Sequence, residues 1–315
     1  MNNKEKYHNF CQTEKIIPIF SQDWFLDAVC GKDNWDVAIF EKGGKVVGSL
    51  PYYKKRKYFI FSIITMPKHI QNMGVYIKYP PQKQKYEKKL VYEKEIMHGL
   101  IEQLPKVDYY NQAFHYSVTN WLPFYLKGYD ATTKYTYVIE DLSNLDKVYS
   151  NFSNAKRKDI QKASRVMEVK FDLDAKIFYE HHKESLATKG DTISYSFEHF
   201  KRLYSSIYEH NHGRTIYAID KESQNIAAAF LYIWDSISGY HLINTIDSNY
   251  RNSGVGTLLL WEIIKDSSKK CNRFDFEGSM VESIEKSYRQ FGTRQKPYFD
   301  IRKIDSKILK PLVLM

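Results

Sequence analysis

The chain has 315 residues, a formal net charge of +10 and a pI near 9.1. Hydrophobic residues make up 43% and charged residues 27%, which is typical of a globular protein and excludes a disordered or fibrous chain. The excess of positive charge favours an anionic partner such as nucleic acid, a phosphorylated cofactor or a membrane surface.

The sequence indicates neither a membrane span nor a metal site. Its apolar runs "YFIFSIITM" and "IAAAFLYIW" reach about half the length that a spanning helix requires, and the first residues lack the apolar segment of a signal peptide. The three cysteines, Cys11, Cys30 and Cys271, lie far apart, which argues against a disulfide framework and against zinc. We therefore expect a cytoplasmic protein that uses no metal.

The first elements along the chain recur in its second half. A helix in "SQDWFLDAVCG" precedes a predicted β-hairpin at 37–53, whose Gly43-Gly44 pair marks the turn. A helix in "SFEHFKRLYSSIYEH" precedes a similar hairpin at 217–233. The order helix then hairpin thus occurs twice.

A second correspondence links 124–141 with 288–304, since both segments read as a short helix, a glycine and a strand. Two repeats in the same order predict a duplicated α/β unit, with domains at 1–142 and 143–315. The predicted seam begins with a helix-capping pattern, Ser143 followed by Asp146.

The second half contains a strand, a glycine-rich loop and a helix. "GYHLINTI" (239–246) alternates like a strand, and "GVGTLLLWEIIKDSSKK" has apolar residues at helical spacing. Such a unit directs free backbone N–H groups and a helix dipole at an anion, and Arg251 would add a charge-assisted contact. The predicted anion site consists of Ile246, Arg251, Asn252, Ser253, Gly254, Val255, Gly256 and Thr257.

The anion is not a dinucleotide of the usual kind, because Leu259 stands where that fingerprint needs a third glycine. "RNSGVG" has the form Arg-x-x-Gly-x-Gly, which resembles the coenzyme A pyrophosphate loop of the GNAT acyltransferase superfamily. A plain glycine turn that caps a helix is the alternative. Downstream, "NRFDFEGS" and the pair Tyr288 and Gly292 match the strand and the Tyr-x-x-x-Gly helix of GNAT enzymes.

Four further segments, "SNAKRKDIQKAS", "LPFYLKGYDATTKYTYVIEDL", "FDFEGSM" and "YRQFGTRQKPYF", resemble Fem-type acyltransferases. The resemblance implies an α/β (α+β) fold of two tandem GNAT-like domains, each a mixed, mostly antiparallel twisted sheet flanked by helices. The N-terminal copy would be degenerate, since it has "TMPKHIQNMGVYIK" where the glycine loop belongs. The long helical arm of Fem enzymes that use aminoacyl-tRNA is not visible in this sequence.

Two carboxylates and a tyrosine are the candidate catalytic groups. Strand alternation in "FDFEGS" predicts Asp275 and Glu277 on one face, where each would raise the pKa of the other and favour a general base. The resemblance implies that Glu277 takes a proton from an attacking amine, that a backbone N–H near Ile246 stabilises the oxyanion, and that Tyr288 protonates the leaving thiolate. Structural roles, as ion pairs or core packing, are the alternatives.

A basic cluster follows the predicted seam, and within it Arg157 or Lys158 would hold a phosphate of the acceptor unless the cluster is only a solvated helix face. The leading prediction is an N-acyltransferase that moves an acyl group from acyl-CoA (acetyl-CoA) to an amine. The acceptor would be a small molecule or a lipid- or nucleotide-linked precursor of the cell envelope or a polysaccharide. An aminoacyl-tRNA donor is the first alternative, and a non-catalytic module that binds RNA or an anionic membrane peripherally is the second.

Overall fold

The computed structural model describes residues 1–57 and 60–310. The chain folds as two compact units. The first unit consists of two segments, Met1–Lys134 and the chain from Pro297 onward. The second unit is Tyr135–Lys296.

Helices and a sheet of mixed direction make up the first unit. Its helices are α1 (Asn3–Thr13), α2 (Asp23–Cys30), α3 (Tyr86–Glu102) and α4 (Leu122–Tyr125). Its strands are β1 (Trp35–Lys42), β2 (Lys45–Lys57), β3 (Phe61–Thr65), β4 (Tyr76–Ile77), β5 (Tyr109–Ala113) and parts of β6 (Asp130–Ile139) and β12 (Arg294–Ile304). The strand order is β1-β2-β3-β5-β12, and only the β3–β5 pair is parallel among the pairs described there. Buried apolar residues of α3, α4 and the sheet form its core.

The second unit repeats this architecture with more helix. Its helices are α5 (Leu145–Ser150), α6 (Asn154–Val166), α7 (Ala175–Ala187), α8 (Phe197–Glu209), α9 (Val255–Ser267) and α10 (Glu282–Arg289). Its strands are the end of β6, β7 (Met167–Phe171), β8 (Gly213–Asp220), β9 (Ile226–Trp234), β10 (Ser238–Ile246) and β11 (Arg273–Asp275).

The sheet of the second unit has the order β6-β11-β10-β9-β8-β7, and β10–β11 is its parallel pair. Strand β9 is buried along almost its whole length, so its continuous apolar sequence fits a strand covered on both faces. The parallel pairing of β10 with β11 covers only Ser238–Tyr240, because β11 ends at Asp275 while β10 continues to Ile246. The two strands therefore part, and the far half of β10 has one edge without a strand partner among the described residues.

These observations confirm the predicted fold class. The hairpins predicted at 37–53 and 217–233 are β1–β2 and β8–β9, and each follows the predicted helix. The capping prediction was wrong by one residue: Asn144 caps α5 by accepting from the N–H of Lys147. Ser143 instead donates its N–H to Asp141.

The domain limits of 1–142 and 143–315 stay a prediction. By contacts, the chain changes unit inside β6 and again inside β12, so its last strand groups with the first unit. Among the residues that the structure describes, no helix is both long and apolar enough to cross a membrane.

Candidate active site

A cavity of about 520 Å³ opens where β10 ends and α9 begins. The glycine loop contributes Arg251, Asn252, Gly254, Gly256 and Thr257 to its wall. The opposite wall comes from α10, through Ser283, Ile284, Ser287 and Tyr288. The structure thus brings the predicted anion loop and the predicted catalytic tyrosine into one space.

The loop owes its shape to Gly254, which precedes α9 with φ of 85°. A β-carbon there would be strained by the backbone and would also fall 2.6 Å from the carbonyl oxygen of Asp159 on α6. Ser253 steadies the same turn, since its hydroxyl donates to the carbonyl of Tyr250 and accepts from the N–H of Val255. The loop therefore takes its shape from Gly254, Ser253 and Val255, and this shape does not depend on a bound ligand.

The donors that remain for a ligand lie at Gly256 and Thr257. Their N–H groups belong to the first turn of α9, where an α-helix offers no internal acceptor. Arg251 is exposed at the rim, and its guanidinium donates to the hydroxyl of Thr188 at 3.3 Å. Asn252 uses its carbonyl to accept from Lys162. Two N–H groups, a helix dipole and a guanidinium around one cavity form a site for an anion.

A β-bulge in β10 decides which side chains reach the cavity. His241 pairs with Tyr232 of β9, but Ile243 pairs with the next residue, Leu231, so one extra residue is inserted between them. The insertion puts His241 on the same face as Asn244 and Ile246, and all three line the cavity. Without it, strict alternation would put His241 on the other face.

The backbone of Ile246 faces the gap between β10 and β11. The next N–H, that of Asp247, donates to Ala227 at 3.0 Å. Alternate amides of an antiparallel strand point to opposite sides, so the N–H of Ile246 points away from β9. Its carbonyl oxygen accepts from the hydroxyl of Ser185 on α7 at 2.7 Å.

The two predicted carboxylates lie together at the end of β11. The alternation predicted through Glu277 stops at Asp275, because Glu277 adopts a left-handed conformation with φ of 62°. Asp275 is buried and accepts from the hydroxyl of Thr136 and from the N–H of Glu277. Burial raises the pKa of Asp275 to about 6, and burial next to Asp275 raises the pKa of Glu277 well above its ordinary value.

Neither carboxylate belongs to the cavity lining, whereas Tyr288 does. The ring of Tyr288 packs on Phe276, with ring centroids 5.0 Å apart. Burial, with the charges of Glu277 and Asp275, raises the pKa of Tyr288 to about 12, so its hydroxyl keeps its proton at neutral pH. Both carboxyl groups therefore lie near Tyr288, although burial is the larger cause of its raised pKa.

From the basic cluster on α6, the structure brings Lys156 into the cavity. Its ammonium bonds the hydroxyl of Ser287 at 2.9 Å and lies 4.8 Å from the ring centre of Phe291. Burial lowers the pKa of Lys156. Arg157 instead donates to the carbonyl of Ser150 and to Asn154, Lys158 is exposed, and neither of them lines the cavity.

The sequence reasoning assigned no site role to Lys156 or His241, although both line the cavity. Lys156 occupies the buried stripe of α6 with Ile160 and Ala163, so a lysine at an apolar position of the helical pattern was the available signal. His241 carried no signal, because a bulge cannot be read from the alternation of "GYHLINTI". Groups of three or more metal-ligating side chains are not found in the described ranges 1–57 and 60–310.

Comparisons with known proteins find a family for part of the chain and similar folds for the whole of it. The family described as "Acetyltransferase (GNAT) domain" matches residues 150–282. Among curated proteins, none matches the sequence. The crystal structure of FemX superposes with a TM-score of 0.69 at 11% identity, covering 100% of this chain and 99% of its own.

Two other solved structures share the fold at similar identity. L-PGS from Bacillus licheniformis gives a TM-score of 0.58 at 9% identity, with 98% of this chain and 95% of its own covered. A tandem GNAT protein from the clavulanic acid biosynthesis pathway gives 0.52 at 8% identity, with 96% and 95% covered. Residues 150–282 are thus a GNAT acyltransferase domain, and the whole chain has the fold of tandem GNAT and Fem-like proteins. The matched domain makes the protein an acyltransferase.

Proposed function

We propose that the protein transfers an acyl group from acyl-CoA to an amine, forming an amide. One observation carries the proposal: Arg251, the first turn of α9 and Tyr288 line a single cavity. The first two suit the pyrophosphate of a coenzyme A thioester, and the third suits its sulfur. A volume of about 520 Å³ lies in the range of small-molecule sites.

The glycine loop fits a pyrophosphate at Gly256. A β-carbon at Gly256 would lie 2.9 Å from the terminal carbon of Ile246, so a side chain there would displace another residue of the cavity wall. The N–H groups of Gly256 and Thr257 would bind phosphate oxygens, and Arg251 would close over them from the rim. Gly254 also lines the cavity, but a β-carbon there would meet the backbone of α6.

Transfer would proceed by direct attack of the amine on the thioester. The N–H of Ile246, directed into the gap beside β10, would bind the oxyanion of the tetrahedral intermediate. Tyr288 would give its proton to the departing thiolate. Glu277 stays the base predicted from the sequence, acting directly or through water, with Asp275 beside it.

The acceptor is proposed to carry negative charge as well as an amine. Lys156 supports this, since its buried ammonium has no carboxylate within 4 Å among the described residues. Arg157 and Lys158 stay proposed contacts for a larger, phosphate-linked acceptor. A precursor of the cell envelope or of a polysaccharide is the proposed class, by analogy with the Fem-like fold.

A second donor is worth testing because the fold superposes on FemX along its full length. With a net charge of +10, the chain would also attract the backbone of an aminoacyl-tRNA. The open glycine loop favours coenzyme A, since a tRNA-linked ester has no pyrophosphate to place there.

The test is thermal melting with coenzyme A, acetyl-CoA and bulk tRNA, each at low and high salt. We expect both coenzymes to raise the melting temperature, with Arg251→Glu abolishing the shift and the exposed α6 variant Arg165→Glu preserving it. Stabilisation by tRNA alone would replace the donor in this proposal with aminoacyl-tRNA.

A further inference from the structure

Helix α4 of the first unit presents apolar side chains to solvent. Leu122, Tyr125 and Leu126 follow one another at helical spacing, and more than half of each residue is exposed. Pro123 and Phe124 point the other way and are buried. A stripe of this kind on a helix normally faces a core, so the exposed stripe of α4 is a surface that lacks its partner.

Helix α4 lies alongside the second half of α3. Asn120, just before α4, donates to Glu93 in the middle of α3 at 2.8 Å. Lys127, just after α4, pairs with Glu102 at the end of α3 at 3.1 Å. These two contacts hold α4 against α3, and its outer stripe therefore belongs to the same side of the first unit as the exposed face of α3.

The first two turns of α3 expose apolar side chains as well. Tyr86 and Val91 are more than half exposed, and Leu90 is about one third exposed. Large apolar side chains that are exposed singly are common on proteins, whereas several on adjacent elements mark an interaction site. We refer to the apolar residues of the two helices as the α3–α4 surface, which consists of Tyr86, Leu90, Val91, Leu122, Tyr125 and Leu126.

This surface is bordered by positive charge. Lys94 follows Leu90 and Val91 by one helical turn. Three of the four glutamates of α3 form ion pairs with lysines, and they are Glu93, Glu95 and Glu102. Four exposed lysines form no ion pair with another described residue, and they are Lys83, Lys85, Lys88 and Lys94. These four outweigh the remaining glutamate, Glu87, so the surface combines apolar side chains with a net positive charge.

The combination decides between possible partners. A second copy of the chain would bring the same lysines to a symmetric contact, where like charges repel. An RNA would bind the lysines through its phosphates, but it recognises partners by charge and by stacking and has no use for leucine or valine. Protein interfaces are depleted in lysine and enriched in arginine, yet the sequence between Lys78 and Lys127 has no arginine. An anionic lipid surface has a place for both kinds of side chain.

We propose that the α3–α4 surface docks the protein on an anionic lipid bilayer. The apolar side chains enter the boundary between the headgroups and the acyl chains, and the lysines keep their ammonium groups among the anionic headgroups. None of these residues lines the cavity between α9 and α10. The inference therefore does not rest on the proposed acyl transfer.

Binding of the full chain is measured by flotation with two kinds of vesicle, phosphatidylcholine alone and an equal mixture of phosphatidylcholine and phosphatidylglycerol. The surface variants are Lys94→Glu and a double variant, Leu122→Ser with Leu126→Ser. Ile177→Ser on α7 and Lys201→Glu on α8 are the matched controls, since both positions are exposed and lie in the second unit. All of these side chains are exposed, so every variant should melt like the parent.

A second measurement reports whether side chains enter the lipid. The native cysteines, Cys11, Cys30 and Cys271, are buried, so a thiol introduced at an exposed position can be labelled selectively with an environment-sensitive dye. Vesicles of the mixed composition should raise the emission of the dye on Leu126→Cys and shift it to shorter wavelength. The same dye on Ile177→Cys should not respond.

We expect the parent to bind the mixed vesicles about tenfold more tightly than phosphatidylcholine, or more, because each lysine near an anionic surface contributes about fivefold. The double serine variant should bind the mixed vesicles about tenfold more weakly, since it removes two leucines from the lipid. Lys94→Glu should weaken binding about fivefold or more. Both controls should stay within about twofold of the parent.

The inference would be overturned if the parent bound neither kind of vesicle, or both equally. It would also be overturned if the surface variants matched the controls, or if the dye on Leu126→Cys gave no response. Binding of bulk tRNA that only the surface variants weaken would assign the surface to a nucleic acid instead. Self-association that only these variants abolish, measured by sedimentation, would assign it to a second copy. Failure of the parent to bind coenzyme A would overturn the proposed function and leave this inference intact.

Discussion

A β-carbon built on Gly254 falls 2.6 Å from the carbonyl oxygen of Asp159, so the glycine loop and α6 are in direct backbone contact. The absence of a side chain at Gly254 thus permits close packing on α6, and its absence at Gly256 leaves room for the side chain of Ile246. The two glycines of the Arg-x-x-Gly-x-Gly pattern have different physical tasks.

Gly254→Ala is expected to destabilise the protein more than a glycine substitution at an equally left-handed position without a neighbour. Gly190→Ala is the matched control, since φ there is 76° and nothing lies within 4 Å of the added carbon. We expect about 1–2 kcal/mol for Gly190→Ala and about 2–4 kcal/mol for Gly254→Ala, from backbone strain alone and from strain plus overpacking. Urea unfolding measures both. Equal losses would mean that α6 moves aside without cost.

Tyr288→Phe is expected to lower kcat by about 100-fold, because the phenol is the proposed proton donor to the thiolate. The Kd for coenzyme A should change less than twofold, since the ring and its packing on Phe276 are kept. Stopped-flow thiol release and calorimetry separate the two quantities. Tyr217→Phe, outside the cavity lining, is the control. A variant with full turnover would leave Tyr288 only a packing role.

The raised pKa of Asp275 predicts that the protein loses stability as the pH rises. Its folded pKa of about 6 lies above the ordinary value of 3.8 for an aspartate, so the folded state binds the proton more tightly than the unfolded state. The stabilisation is complete below about pH 4 and is lost as pH rises through about 6, a change of about 3 kcal/mol.

Asp275→Asn should remove most of that slope, because the amide oxygen can still accept from Thr136 and from the N–H of Glu277. Unfolding at several pH values between 4 and 7 measures the slope, and the exposed Asp33→Asn is the control. If the dependence of the unfolding free energy on pH did not change, another group would bind the proton, and the buried Glu277 would be the next candidate.

Lys156→Met is expected to leave the free protein as stable as the parent or more stable by about 1 kcal/mol, since it replaces a buried charge with an apolar chain. The stabilisation given by an anionic substrate should fall at the same time. Lys158→Met, at an exposed position of the same helix, should change neither the stability of the free protein nor its stabilisation by an anionic substrate. Melting curves with and without coenzyme A and acidic amines measure both effects. A large loss of stability in the free protein would make Lys156 a structural residue.

The sequence was sufficient for the features that depend on local pattern. The strand predicted at 239–246 is β10 at Ser238–Ile246, and the helix after the glycines is α9. Tyr288 and the loop share a cavity because a strand, a glycine turn and a helix with these periods have few ways to pack.

Features that depend on register or on a neighbouring helix could not be predicted. Glu277 lies beyond the last residue of β11, in a conformation that a non-glycine residue rarely adopts, so alternation misplaced it. Lys156 reaches the cavity while Arg157 and Lys158 do not, because α6 turns by 100° per residue and only one of three consecutive side chains can face inward. Their positive charge alone did not distinguish Lys156 from Arg157 and Lys158.

The bulge between His241 and Ile243 makes the chemistry of the wall depend on chain length as well as on residue identity. Deleting Leu242 would remove the bulge and keep His241 on the same face as Asn244 and Ile246, because the strand would then alternate regularly. If the strand kept its length and lost the bulge, His241 would turn to the opposite face and leave the cavity wall. The bulge thus compensates for the one residue by which this strand departs from regular alternation, and the cavity wall keeps its side chains.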